Sequence, residues 1–121
     1  MKQKVHSVSY LAKAEFEFKN GVHDLVALPC GAEVVKVSLE MVDNLTTENI
    51  SVGFKDETTK NYFLSLDNIN AANQKFATSA KDYTAMSNKV VVAEVKNANE
   101  NATKGVLRVL YFLPSVIEVE Y

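Results

Sequence analysis

The chain has 121 residues, 47% of them apolar and 23% charged, with a formal net charge of −2. That length and balance fit one folded globule and exclude a disordered or low-complexity chain. Arg108 is the single arginine; without the clustered basic residues of a phosphate-binding surface, nucleic acid is not an expected partner.

Met1 to Ser7 lacks the apolar run of a secretory signal. No stretch approaches the ~20 apolar residues of a membrane span, so no membrane partner is expected. The lone Cys30 rules out an internal disulfide framework. Residues 1–12 mix polar side chains with Val5, Val8, Tyr10 and Leu11 and read as an N-terminal arm or edge strand. Residues 13–121 read as one β-sandwich domain.

From Ala14 the pattern is strict alternation. Ala14, Phe16 and Phe18 point one way, Glu15 and Glu17 the other. Asn20-Gly21 is a strong turn pair, and Val22 to Leu28 follows as a second strand, which predicts a hairpin over Ala14 to Leu28. Pro29-Cys30-Gly31 turns the chain into Glu33 to Asp43. There Val35, Val37, Leu39 and Met41 are expected on the core face, with Lys36, Ser38 and Glu40 in water. Burying such side chains stabilises by roughly 1.5–3 kcal/mol each.

Ile50, Val52 and Phe54 alternate with polar or small residues in a further strand. A charged loop over Lys55 to Lys60 leads to a strand over Asn61 to Leu66, with Tyr62, Leu64 and Leu66 on one face. Asn68 to Gln74 reads as one helical turn by its alanines or as a loop by its three asparagines, and Lys75 to Ser79 as a short strand. Tyr83 and Met86 are candidates to tuck inward from a loop. Val90, Val91, Val92 and Val95 crowd a strand suited to a central, doubly covered position.

Val106 to Leu113 is the most apolar strand. Leu107, Val109, Tyr111 and Leu113 face one way and Val106, Leu110 and Phe112 the other, so both faces need cover, one from a second sheet and the other from another subunit or from the chain's own domain around a central strand. Pro114 permits a change of direction or of sheet before Val116 to Tyr121 alternates again. The sum is an all-β, two-sheet antiparallel sandwich, jelly-roll or Greek-key-like, of about eight or nine strands.

The same residues offer little chemistry. Cys30 has no nucleophile motif around it, and His6 and His23 have none either. Positions 6, 23 and 30 do not form a zinc spacing, and Asp56, Glu57 and Asp67 do not form a calcium loop. Glu15 with Glu17, and Glu118 with Glu120, share strand faces about 7 Å apart, as solvated sheet faces do. No enzyme, metal or cofactor is expected.

The order of the segments resembles small β-sandwich structural proteins of tailed bacteriophages, several of which act as capsid cement or decoration proteins. The resemblance rests on Leu28-Pro29-Cys30-Gly31-Ala32-Glu33-Val34 opening a valine-rich strand, then Val52-Gly53-Phe54-Lys55-Asp56. Tyr62-Phe63-Leu64-Ser65 and Gly105-Val106-Leu107-Arg108-Val109-Leu110-Tyr111 complete it. The family usually has a more glycine-rich middle and ends near that tyrosine, whereas this chain continues through Pro114 to Tyr121.

The resemblance implies a non-enzymatic virion protein, assembled in the host cytoplasm and seated on the outer capsid surface. Copies would form a homotrimer and bridge major capsid protein subunits. Tyr10, Leu11, Phe112 and Tyr121 are the expected partner contacts. The alternative is a ligand- or receptor-binding module of a phage fibre or tail. Five Tyr and six Phe allow a stacking platform, but the favoured sugar-stacking residue, Trp, is missing.

Overall fold

Alternating apolar side chains pair into eleven antiparallel strands among the residues described by this computed structural model, namely 1–42, 49–67, 76–98, 104–114 and 116–120. In chain order these are β1 (Lys2–His6), β2 (Ser9–Glu17), β3 (Gly21–Leu28), β4 (Glu33–Val42), β5 (Asn49–Phe54) and β6 (Leu64–Leu66). Then come β7 (Phe76–Ser79), β8 (Tyr83–Thr84), β9 (Lys89–Lys96), β10 (Lys104–Phe112) and β11 (Val116–Glu120).

One sheet runs β2-β10-β4-β7, with the two-residue β8 beside β4; the other runs β3-β9-β5-β6. Most successive strands of the sandwich change sheet, which is the wiring of a jelly roll. The expected antiparallel sandwich is therefore present. The count exceeds eight or nine because β8 is a two-residue bridge and because the N-terminal stretch forms two strands, β1 and β2.

The sheets close over a core in which Phe18, Leu28, Val34, Leu39, Phe54 and Leu107 are at most 2% exposed. The valine-rich β9 is central, between β3 and β5. Val91, Ala93 and Val95 join the core, whereas Val92 is fully buried yet stands outside it. Its register partner Gly53 explains the cover. A Cβ on Gly53 would lie 2.6 Å from the Lys60 carbonyl carbon and 2.7 Å from the Asn61 nitrogen. The loop after β5 thus lies against the outside of its own sheet, and only a residue without a side chain admits it.

Several local expectations are corrected. Residues 14–28 are not a hairpin: β2 and β3 lie in different sheets. Phe16 and Phe18 both turn into the core, and the chain crosses between the sheets at Lys19 and Asn20. The Asn20 side chain accepts the Ala98 N–H at 2.8 Å, and the His23 ring donates to the Lys19 carbonyl at 2.7 Å, fixing the crossing.

On β4, Val34 rather than Val35 reaches the core. The β10 register slips between Leu110, opposite Lys36, and Tyr111, opposite Val34, so a β-bulge resets the alternation at Val35. The strand expected over Asn61 to Leu66 starts only at Leu64, because Tyr62 and Phe63 bend inward against Phe54. Met86 is 82% exposed, not tucked in. The helical turn expected over residues 68–74 lies outside the described residues.

Beyond Pro114 the chain leaves the sandwich. β11 pairs with β1, far away in sequence, as a separate two-stranded ribbon. Its base is tied to the end of β10: the His6 ring donates to the Leu113 carbonyl at 3.1 Å, and the Leu113 N–H to the Val8 carbonyl at 2.8 Å.

Candidate assembly surface

The residues examined above for chemistry are dispersed. His6 sits at the ribbon base and His23 on β3. The Cys30 thiol, in the turn before β4, donates to the Met86 carbonyl at 3.4 Å. Asp56 accepts from Lys89, which holds its carboxyl below the usual range, and Glu17 is held low in the same way by Lys19 at 2.8 Å. These carboxylates already have cations. Among the described residues no group of three His, Cys, Asp or Glu stands together in a way that could hold a metal ion. An open dish of about 690 Å³ lies between Glu15, Lys19, His23 and Lys55.

Two surfaces stand out instead. The first is the outer face of β2-β10-β4-β7. Strand β10 turns Leu107, Val109 and Tyr111 into the core. Alternation therefore sends Leu110 and Phe112 outward, and both are only half-buried. Leu11 on β2 lies directly opposite Leu110 and is 61% exposed. Tyr10, by contrast, lies opposite Tyr111 on the core-side face of the edge strand β2, stacked edge-on at 5.9 Å and 51% exposed.

Two shallow hollows mark this face, one bounded by Leu11, Lys36, Ser38, Arg108 and Leu110, the other by His6, Glu33, Val35 and Phe112. Arg108 bonds Glu40 at 2.9 Å between β10 and β4. The face therefore holds a short apolar strip, Leu11, Leu110 and Phe112, bordered by Lys13, Lys36, Glu33 and the Arg108–Glu40 pair, an apolar centre with a polar surround.

The structure thus brings Leu11 and Phe112 onto one outer face of β2 and β10, whereas Tyr10 shares the core-side face with Tyr111. Tyr121 lies outside the described residues. The second sheet covers one face of β10; among the described residues, no strand layer covers the other.

The second surface is the ribbon. Lys4 is opposite Glu118, Lys2 lies 3.9 Å from Glu118, and Val5 opposite Ile117 on the other side. The sequence reading missed this pairing. Its signal was present as Lys-Gln-Lys-Val-His near one end and Val-Ile-Glu-Val-Glu near the other, two alternating segments of opposite charge.

Comparison with known proteins agrees with an assembly role. The chain is similar to a chain in the acidic-stable capsid structure of Helicobacter pylori bacteriophage KHP30, with 76% identity, full coverage of both chains and a TM-score of 0.92. A chain of the cyanophage Pam1 capsid shares 24% identity over 88% of this chain and 85% of its own, with a TM-score of 0.68. A chain of the Ralstonia phage GP4 capsid shares 14% over 92% and 87%, with a TM-score of 0.65. These two likenesses show the fold. No protein-family model and no curated protein matches.

Proposed function

We infer the role of this chain from one premise: it belongs to the family of small β-rich structural proteins of phage capsids, and it is a virion component. We propose that it is a non-enzymatic cement or decoration protein on the outer shell, bridging major capsid protein subunits as a homotrimer. Residues 1–12, which run through β1 into the start of β2, serve in assembly, and the sandwich of β2 to β10 carries them.

The observation that carries this reading is the outward strip of Leu11, Leu110 and Phe112, over which no second layer lies among the described residues. Tyr10 and Leu11 are the proposed contacts on β2, and Phe112 on β10. The mechanism is mass action. A protein that binds the assembled shell and not its free subunits stabilises the shell by RT ln(1 + [L]/Kd), about 2.7 kcal/mol at a hundredfold excess over Kd.

The test uses shells stripped of this protein. Added back, the chain is expected to occupy regular surface positions by electron microscopy and to raise the shell's disruption temperature. Leu11→Asp, which places a charge in the apolar strip, is expected to weaken occupancy by at least about tenfold. Absence from the shell surface, with density in the tail instead, overturns the proposal.

A further inference from the structure

We propose that the β1–β11 ribbon is the joint between copies of this chain, and that copies join head to tail, the free edge of β1 on one pairing with the free edge of β11 on the next. The inference deepens the assembly reading above and rests on it for the choice of a second copy as partner.

The ribbon is unfinished as a structure. A two-stranded sheet is marginal alone in water. Among the described residues, β1 and β11 pair only with each other, so each keeps one open edge. On one side Val5 and Ile117 are 38% and 56% exposed. On the other stand Lys2, Lys4 and Glu118, whose Lys2 and Glu118 side chains are 71% and 56% exposed. An open edge beside an apolar strip invites strand addition.

Charge selects which edge meets which. A two-fold dimer would pair like with like. Joining β1 to β1 sets Lys2 and Lys4 against Lys4 and His6, or against each other; joining β11 to β11 sets Glu118 against an acid. Like charges directly opposite destabilise a sheet. Joining β1 to a neighbour's β11 repeats the pairing already present inside the ribbon, Lys4 opposite Glu118. Each Glu118 then lies between two lysines.

Direction agrees. Within one ribbon the strands are antiparallel. Rotation about an axis along the ribbon keeps every β1 pointing one way and every β11 the other. The junction of β1 with the neighbour's β11 is therefore antiparallel by symmetry, and a closing ring removes both open edges. In such a ring Val5 and Ile117 line one continuous side.

The test measures the mass of the full-length protein by native mass spectrometry and its association by analytical ultracentrifugation. Wild type is expected to form closed rings. Lys4→Glu and Glu118→Lys are each expected to weaken association at least about tenfold while the sandwich keeps its circular dichroism. Mixing the two weakened variants is expected to restore association in part, because positions 4 and 118 then carry opposite charges at every joint between unlike copies, two of the three joints in a three-membered ring. That recovery cannot arise inside either chain.

Monomeric wild type, unaffected single variants, or no recovery on mixing each overturns the joint. Binding to stripped shells is read separately. Wild type that forms rings yet ignores shells sinks the cement role alone, and wild type that binds shells as a monomer sinks the joint alone.

Discussion

Strands β9 and β11 are both short, alternating and rich in valine or isoleucine, yet they end in opposite circumstances. β9 lies between β3 and β5 with Val91, Ala93 and Val95 in the core and Val92 covered from outside. Among the described residues β11 has one partner strand, and its Ile117 is 56% exposed. Position in the sheet order separates them, with little help from composition. A strand with neighbours on both edges and cover on both faces is complete within its own chain. One with a single neighbour, near a chain end, offers its remaining edge and face to something else.

The sharpest way to break the β9 side of this contrast is to hollow its core. Phe54, fully buried and ringed by Tyr62, Phe63 and Tyr83, has its β5 register partner on β9. Phe54→Ala is expected to destabilise by about 3–5 kcal/mol, read as a lower midpoint in urea unfolding. Next is the cover over Val92. Gly53→Ala drives a methyl into the backbone of residues 60–62 and is expected to cost about 1–3 kcal/mol, with the loop's amides exchanging faster.

The matching change on the ribbon behaves differently. Ile117→Thr is expected to stay within about 0.5 kcal/mol of wild type in unfolding, while association of copies weakens. A large loss of monomer stability would show that the ribbon belongs to the core after all.

The smallest effect is electrostatic. Asp56 has its carboxyl held low by the Lys89 hydrogen bond, and Lys89 is held high by the same bond. A depressed carboxyl adds stability above its unfolded value, lost as pH falls through the ordinary carboxylate range and then the folded value. The raised amine adds stability below its unfolded value, lost as pH rises through the folded one. The stability gap between wild type and Lys89→Met is thus expected to narrow at both extremes. A gap that is constant with pH, in a urea titration series, would assign it to packing over Phe54.

Much of this architecture was written in local pattern. Phe16 and Phe18, the run Val90 to Val92, and the two-sided strand around Arg108 all announced their places by period alone. What escaped depended on distant partners. Asn20-Gly21 has hairpin chemistry, but two phenylalanines need the core between the sheets, and that need turns the corner into a crossing. Val35 looked like a core residue because alternation was counted without the slip that β10 imposes. Of the candidate surface, Tyr10, Leu11 and Phe112 were visible as apolar residues with no home. The meeting of Lys4 with Glu118 was not, since no local rule joins positions 114 residues apart.

Gly31 has a positive φ of 90°, and a Cβ there would sit 2.7 Å from the Pro114 Cβ. The proline that launches the ribbon therefore nests on the turn that opens β4. That contact works as a fulcrum. A strand of five residues reaches about 16 Å at roughly 3.3 Å per residue, so a shift of a fraction of an ångström at the nest swings the far tip several times as far. The bare Cα of Gly31 thus shares the aiming of the lever with the hydrogen bonds His6–Leu113 and Leu113–Val8.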